Sequence, residues 1–455
     1  MASFAPRPIP SPLHLRLAVV GAGAAGLVAA RELRREGHGV VVFERGASVG
    51  GTWVYTPAVE SDPLGTDPAR NIVHSSLYKS LRTNLPRECM GFLDYPFVPR
   101  GSGGDARRFP SHEEVLRYLE NFAEEFGLIE SIRFRTEVER VEREVDGKRW
   151  IVKSREVGGG GEKKREVYDG VVVCNGHYTE PRIAEISGID AWPGNQMHSH
   201  NYRVPEPFVN QAVIVIGSSA SAVDISRDVA RLAKEVHIAS RSVTGRVPAK
   251  VPSYENMWFH STIERADRDG SVVFHDGSLV YADVIIHCTG YKYYFPFLET
   301  NGVLTVDDNQ VSPLYKHVFP PQLAPSLSFI GLPWKVIPFP LVELQCKWLA
   351  GILSGRIELP LEEEMLKDVK ADYQRLEMKG WPKRYAHNFS DFQFEYDDWL
   401  AEQCGLPPVE DWRKEMYVVA SKNRVARPEV YRDEWDDDHL VEQSYKYFEN
   451  LVQLS

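Results

Sequence analysis

A glycine-rich turn directly after a short apolar strand occurs twice in this chain. The first is Gly21-Ala22-Gly23-Ala24-Ala25-Gly26, after Leu17-Ala18-Val19-Val20, and the second is Gly217-Ser218-Ser219-Ala220-Ser221-Ala222, after Val213-Ile214-Val215-Ile216. The first glycine of such a turn permits a sharp change of direction. The second lets the backbone approach a pyrophosphate, and the third lets the next helix pack on the strand. Two copies predict two dinucleotide sites in one chain, and therefore redox chemistry.

The first turn lies in a strand–helix–strand unit over residues 16–44. Good helix formers run from Ala24 to Glu36, Gly37 ends the helix, and a buried parallel strand follows from Gly39 to Phe43. Glu44 ends that strand, where a carboxylate accepts ribose hydroxyls and repels a 2′-phosphate. The first site is therefore expected to bind FAD or NAD rather than NADP.

The second turn departs from the strict pattern, because Ser219 and Ala222 replace the second and third glycines. Small residues still permit close approach, and the Ser219 hydroxyl can reach a phosphate. The following strand ends in Ser240-Arg241, and a cation at this point favours a 2′-phosphate. The prediction is NADPH, with a surface arginine as the alternative. The residues expected to bind it here are Gly217, Ser218, Ser219, Ser221, Ala222 and Arg241.

Length and charge restrict the class of protein. A chain of 455 residues is long for one hydrophobic core, so two lobes are expected. The formal net charge of -11 argues against nucleic acid or an anionic membrane surface as a partner. The five cysteines form no Cys-x-x-Cys pair, which fits a reducing compartment and disfavours dithiol redox chemistry. Met1 to Pro12 shows no signal-peptide pattern and no apolar run is membrane-length, so the cytoplasm is expected.

The order of the patterns predicts an α/β fold with two Rossmann-like dinucleotide-binding domains, the smaller inserted in the larger. We expect the first part of the FAD domain over 1–205, the inserted NADPH domain over 206–290, and the rest with C-terminal helices over 291–455. Ser111 to Glu114 is typical of a capping box opening a helix. The alternating pattern from Ile132 to Cys174 predicts an antiparallel meander, with Gly158 to Gly161 as a hairpin tip. Further helices are expected from Leu341, from Glu362 and over roughly 440–454.

A string ahead of the second turn, Trp192-x-Gly194-x-x-x-His198-x-x-x-Tyr202, resembles the identifier of the flavin-containing monooxygenases. The usual first residue there is phenylalanine, so Trp192 is a departure that keeps an aromatic ring. Gly50-Gly51-Thr52-Trp53, Thr83-Asn84-Leu85-Pro86, Cys288-Thr289-Gly290-Tyr291 and Glu343-Leu344-Gln345 also resemble family segments. The resemblance covers essentially the whole chain. Residues 80–88 look most like the plant S-oxygenating branch, which includes glucosinolate and S-alkenylcysteine oxygenases.

The resemblance implies roles for individual residues. It adds Arg45, Gly51, Thr52, Trp53, Asn84 and Gln345 to the FAD contacts Gly21, Gly23, Gly26 and Glu44. It places His198 and Tyr202 with NADPH, in a conformational rather than an acid–base role. Asn84 is the one catalytic residue implied, because a neutral amide there touches flavin and nicotinamide and donates to a peroxide oxygen without protonating it early. No histidine spacing is typical of a metal site, so none is expected.

The resemblance also implies the reaction. NADPH reduces FAD, O2 adds to give a hydroperoxyflavin, and a thioether sulfur accepts one oxygen atom in a site that excludes water. The expected substrate is an S-alk(en)yl cysteine, its γ-glutamyl form or a methylthioalkyl glucosinolate. Alternatives are N-oxygenation of an amine or amino acid, auxin-type oxidative decarboxylation of a keto acid, and a non-catalytic flavoprotein. The expected protein is a monomer or weak homodimer. Two aromatic segments, 291–297 and 334–339, are expected either to line an access path or to pack in the core.

Overall fold

The computed structural model describes residues 14–99, 104–158, 163–242, 248–390 and 392–454. The segments Met1 to Pro12 and 159–161, for which expectations were stated above, lie outside these ranges. The strands of the described ranges are β1 Arg16–Val20, β2 Gly39–Phe43, β3 Ile132–Arg133, β4 Thr136–Arg143, β5 Trp150–Glu156, β6 Lys164–Tyr168, β7 Gly170–Val173, β8 Glu180–Pro181, β9 Asn195–His198, β10 Ala212–Ile216, β11 Glu235–Ala239, β12 Ala249–Lys250, β13 Met257–His260, β14 Ile263–Ala266, β15 Ser271–Phe274, β16 Leu279–Tyr281, β17 Val284–His287, β18 Tyr291–Lys292, β19 Thr305–Asp307, β20 Gln310–Ser312 and β21 Leu327–Phe329.

The helices of the same ranges are α1 Ala24–Arg35, α2 Arg87–Met90, α3 His112–Glu125, α4 Ala220–Ala230, α5 Pro338–Leu353, α6 Glu362–Met378, α7 Gln393–Gln403, α8 Asp411–Ala426 and α9 Asp438–Leu454. None of those helices combines the length and the apolar character that crossing a bilayer requires.

Two parallel sheets organise the molecule. The first has the order β21-β7-β1-β2-β3, and the second has the order β12-β13-β11-β10-β17-β9, parallel except for β12. The apolar runs of β1 and β10 form the centres of these sheets and are almost wholly buried, as expected of parallel strands covered on both faces. Each unit therefore has the strand–turn–helix–strand arrangement that the sequence predicted.

The chain leaves the first sheet after β7 and returns to it at β21, with the whole second sheet in between. The short antiparallel ribbon of β8 and β18 joins the outgoing and returning segments. The smaller lobe is thus inserted in the larger one. The sheet of the smaller lobe includes β9, Asn195–His198, which precedes the boundary expected at 206. The boundaries at 206 and 290 stay predictions.

Two local expectations were wrong. The antiparallel meander is limited to β4, β5 and β6, because β3 and β7 pair in parallel with the first sheet. Helix α3 begins after Ser111, but its capping box does not form. The Asp105 carboxylate accepts the backbone N–H of Ser111 instead, and the Glu114 carboxylate accepts from the backbone N–H of Asp105 and from Arg117.

Candidate active site

Both glycine-rich turns open into one cavity of about 2050 Å³. Its lining includes most of the residues predicted for the two nucleotides, namely Gly21, Gly23, Glu44, Arg45, Gly51, Thr52, Trp53 and Asn84 with Gly217, Ser218, Ser219 and Ala222. Gly26, Ser221, Arg241, His198, Tyr202 and Gln345 lie outside that lining. The fold therefore brings the two predicted sites to one continuous cavity.

The first glycine of each turn has the same environment. Gly21 has a φ of +105° and donates to the Phe43 carbonyl at 2.8 Å, and a Cβ there would lie 2.5 Å from the Cys174 carbonyl oxygen. Gly217 has a φ of +125° and donates at 2.9 Å to the carbonyl of Ala239, and its Cβ would lie 2.6 Å from the Cys288 carbonyl oxygen. Both conformation and space therefore require glycine.

The remaining glycines of the first turn shape a backbone cradle. A Cβ on Gly26 would lie 1.8 Å from the Gly21 carbonyl oxygen, so α1 packs directly against the turn. A Cβ on Gly23 would meet only backbone of Gly51, at 3.5 Å and beyond, and the rest of its surface faces the cavity. Ala24 and Ala25, in the first turn of α1, also line the cavity, and the N–H groups of a first turn have no partner within the helix. This cradle fits a pyrophosphate.

Glu44 and Arg45 lie where the adenosine end of a nucleotide is expected. The Glu44 carboxylate accepts from the backbone N–H of Ala22 at 2.8 Å and of Gly46 at 2.6 Å, which fixes it at the end of β2. The Arg45 guanidinium lies 2.9 Å from His74 Nε2. Burial, reinforced by the Arg45 charge, lowers the pKa of His74 to about 4. His74 is therefore a neutral group on the cavity wall.

The second turn ends at Ser219, which is the N-cap residue of α4. Beside it, the Ser240 hydroxyl lies 2.9 Å from both Ser218 Oγ and Ser242 Oγ. Ser240 and Ser242 flank Arg241, which is exposed at the end of β11. The sequence interpretation gave neither of these two serines a role at the nucleotide site. Their position on either side of the predicted cation was the available signal.

Asn84 faces the cavity on a backbone held at both sides. Thr83 donates its N–H to the Pro110 carbonyl at 2.9 Å and its hydroxyl to the Leu85 carbonyl at 2.9 Å. The Thr83 carbonyl accepts from Arg432 Nε at 2.9 Å. Among the described residues the Asn84 side-chain amide has no hydrogen-bond partner. The Asn84 amide is therefore a polar group on a fixed backbone, available to a ligand.

The comparisons with known proteins agree with this geometry. The model of the flavin-binding monooxygenase-like family matches residues 14–265 and 257–408. The Arabidopsis thaliana protein named flavin-containing monooxygenase FMO GS-OX-like 2 is 60% identical over 448 residues, 96% of each chain. A second Arabidopsis relative, FMO GS-OX5, is 58% identical over 95% of this chain and 94% of its own.

The solved structure of S-allyl-L-cysteine S-oxygenase from Allium sativum superimposes with a TM-score of 0.94. It is 65% identical and covers 97% of this chain and all of its own. The chain belongs to the flavin-binding monooxygenase-like family. The resemblance inferred from the identifier string is confirmed.

The identifier string of this flavin monooxygenase contacts the inserted lobe through its two aromatic residues, Trp192 and Tyr202. The Trp192 indole N–H donates to the Gly270 carbonyl at 3.1 Å, and its ring lies over Gly194, where a Cβ would come within 2.2 Å of it. The Tyr202 hydroxyl donates to the Asp228 carboxylate on α4 at 2.7 Å. The Trp-x-Gly spacing is therefore a packing requirement.

His198 joins the string to the returning linker. Its Nε2 lies 3.0 Å from the Gly290 carbonyl oxygen, and its Nδ1 accepts from the His200 backbone N–H at 3.0 Å. This pairing places the ring proton on Nε2. Burial lowers the pKa of His198 to about 3, since it excludes water from the ring. The imidazole is neutral and structural.

Gln345 is buried and acts within the protein. Its Oε1 accepts from the Gly331 N–H at 2.9 Å and its Nε2 donates to the Tyr396 hydroxyl at 3.0 Å. Gly331 lines the cavity, so Gln345 positions cavity backbone. Contact between Gln345 and the flavin stays a prediction.

Other cavity walls come from segments distant in sequence. Of the aromatic segments whose role was left open, Tyr294, Phe297, Trp334 and Phe339 line the cavity. The carboxyl-terminal half of α8 and the residues Tyr431 and Arg432 do so as well. No local motif marks this last wall, because it arises only from tertiary packing.

The carboxylates of Glu32, Asp94 and Glu343 lie within 4.8 Å of one another and so have the spacing of metal ligands. Arg31 pairs with all three at 2.7–3.0 Å, and Lys347 lies 3.1 Å from Glu343. These cations already supply the positive charge that a metal would bring. The cluster is best explained as a link between α1 and α5.

Proposed function

We propose that this protein is an NADPH- and O2-dependent S-monooxygenase that converts a small thioether to its sulfoxide. The observation that carries the proposal is the shared cavity, which exposes two dinucleotide turns and Asn84 to one space. FAD fits the cradle of Gly21, Gly23 and Gly51 with Glu44, and NADPH fits the turn of Gly217 to Ala222 with Arg241. When bound, this pair supplies reducing equivalents and activates O2 for transfer of one oxygen atom.

The chain's own contribution is positioning and the exclusion of water. Asn84 is proposed as the catalytic residue, donating its side-chain N–H at the meeting point of the two nucleotides. Its free amide and its clamped backbone support this role. Apolar side chains such as Leu85, Met90, Val336 and Phe339 line the same cavity and limit solvent access.

The protonation states support oxygen transfer to a neutral nucleophile. Burial lowers the pKa of both histidines on the cavity wall, His74 and His177, to about 4. Both are neutral near pH 7 and are poor proton donors there. A thioether sulfur is already nucleophilic and needs no base, so the site has the groups that this reaction requires.

The proposed roles of His198 and Tyr202 are to set the position of the NADPH-binding lobe. Their hydrogen bonds to Gly290 and Asp228 support this. The proposed substrate class follows from the garlic relative, an S-allyl-L-cysteine S-oxygenase. The candidates are S-alk(en)yl cysteines, their γ-glutamyl forms and methylthioalkyl glucosinolates. We further propose a cytoplasmic monomer or weak homodimer that does not bind nucleic acid.

The test is an assay of purified holoenzyme with NADPH, air and each thioether. We expect bound flavin, NADPH oxidation that depends on the thioether, and a product heavier by one oxygen atom. An amine yielding an N-oxide under the same conditions would point to the N-oxygenating alternative. The proposal fails if NADPH oxidation yields only hydrogen peroxide with every thioether.

A further inference from the structure

Among the charged side chains that line the cavity, the carboxylates have partners and several of the cations do not pair with a carboxylate of the described residues. Each lining carboxylate has a partner. Glu44 accepts backbone N–H groups, Glu137 pairs with Arg155, Glu180 with Arg70, and Asp224 with Arg432. Within the described ranges no carboxylate pairs with the lining cations Lys292, Lys335, Lys422 and Arg424. The cavity wall therefore carries uncompensated positive charge.

Two of these cations, Lys422 and Arg424, lie on the wall formed by α8, and Lys335 lies on the segment that this helix contacts. Arg424 is half-buried in the last turn of α8, between Tyr417 and Tyr431, and its charge acts on both phenols. The Tyr417 hydroxyl donates at 3.4 Å to the carbonyl of Lys335. The backbone of Lys335 has a φ of +57°, a conformation rarely adopted by residues with a side chain.

The same wall presents apolar surface. Tyr417, Ser421 and Val425 line the cavity at one-turn spacing along α8, and so do Val418 and Lys422. Val425 is 80% exposed, although it borders the cavity. A small ligand with an apolar chain and an anionic group matches this combination. Neither nucleotide needs it, since each has its own turn and helix N-terminus.

The wall adjoins the reacting end of the cavity. Tyr431 precedes Arg432, whose guanidinium donates to the Thr83 carbonyl beside Asn84. A ligand anion held at Arg424 would leave its apolar chain free to extend toward Asn84. The geometry points to Arg424, assisted by Lys335 and Lys422, as the subsite that binds the anionic group of the thioether substrate. This inference rests on the proposed S-oxygenation.

The experiment compares holoenzyme carrying Arg424→Gln with the unaltered holoenzyme. The substrates are S-allyl-L-cysteine, a sulfated methylthioalkyl glucosinolate and the uncharged allyl methyl sulfide. A charge-assisted hydrogen bond is worth about 1.5–3 kcal/mol, so we expect the ratio of kcat/KM for the anionic thioether to that for the uncharged one to fall roughly 10- to 100-fold. A fall in the ratio for S-allyl-L-cysteine would identify a carboxylate as the bound group, and a fall for the glucosinolate would identify a sulfate.

The matched control is Arg268→Gln, which removes an exposed arginine outside the cavity lining and should leave that ratio unchanged. Arg424→Lys should restore part of the ratio, because it keeps the charge. Equal losses for charged and uncharged thioethers overturn the inference, and so does a rise in the KM for NADPH alone.

Calorimetric titration with O-allyl-L-serine, which has no sulfur to oxidise, separates this inference from the proposed function. Binding weakened by Arg424→Gln in a holoenzyme that makes no sulfoxide would support the subsite and refute S-oxygenation. Sulfoxide formation with binding insensitive to Arg424→Gln would refute the subsite alone.

Discussion

Arg432 forms a paired contact with Asp224, with its Nη1 and Nη2 lying 3.1 and 2.7 Å from the two carboxylate oxygens. Arg432 belongs to the C-terminal segment of the larger lobe, and Asp224 lies on α4 directly behind the second glycine-rich turn. The same guanidinium donates from Nε to the Thr83 carbonyl. One side chain therefore links the inserted lobe to the backbone that carries Asn84.

Replacing Arg432 with glutamine should separate NADPH oxidation from oxygen transfer. Both side chains of the pair are only 17% exposed, and loss of one partner leaves the other charge poorly solvated. We expect the fraction of NADPH converted to sulfoxide rather than peroxide to fall about 10-fold or more, since small misplacements at a reacting centre have large effects. Product and peroxide are measured together. Lys383→Gln, which breaks the exposed pair with Asp307, is the control and should change neither.

Glu44→Gln should weaken FAD binding. The carboxylate is positioned by two backbone N–H groups at the end of β2, and an amide accepts ribose hydroxyls less strongly than a charged oxygen. The expected increase in the dissociation constant of FAD is roughly 10-fold, measured by flavin fluorescence on reconstituted apoprotein. Glu36→Gln, which alters a carboxylate outside the cavity lining, serves as control. Unchanged affinity in Glu44→Gln would contradict the assigned site.

Arg241→Ala should reduce the preference for NADPH over NADH. Arg241 lies in the chain between Ser240 and Ser242, whose hydroxyl oxygens are 2.9 Å apart, and a cation with two hydroxyls is a set suited to a 2′-phosphate. We expect the ratio of kcat/KM values for the two nucleotides to fall about 10- to 100-fold, with the loss confined to NADPH. Arg268→Ala controls for removal of an exposed arginine. Equal losses with both nucleotides would show that Arg241 does not bind the 2′-phosphate.

Local sequence was sufficient to predict a feature when the residues that form it lie close together in the chain. The two turns, the strands before them and Glu44 follow from residues less than one supersecondary unit apart, and the inserted order follows from two such units in series. Arg432, Tyr431 and the α8 wall could not be predicted, since they reach the cavity from distant parts of the chain, and Arg432 pairs with a residue 208 positions before it. The capping box failed for a different reason, because the nearby side chains of Asp105 and Arg117 compete for its polar groups.

Gly194→Ala tests the packing of the identifier string. A Cβ at this position would lie 2.2–2.7 Å from the outer carbons of the Trp192 ring, so the indole must move and lose its hydrogen bond to Gly270. We expect a loss of about 1–3 kcal/mol in the free energy of unfolding, measured by chemical denaturation of holoenzyme. In a Trp192→Phe background the shorter ring should reduce this loss. A cost that is the same in both backgrounds would show that the ring is not the obstacle.

Acid should destabilise the fold through its buried histidines, His198 in particular. Its pKa of about 3 in the folded protein lies below the ordinary 6.5, so the unfolded chain takes up a proton first as pH falls. The stabilising contribution is complete above pH 6.5 and is lost as pH falls from there toward 3, by about 1.4 kcal/mol per pH unit. His198→Gln keeps a donor toward Gly290 but cannot titrate. Between pH 6.5 and 4.5 its unfolding free energy should therefore fall less steeply than that of the unaltered protein, and parallel slopes would show that His198 is not buried in the neutral form.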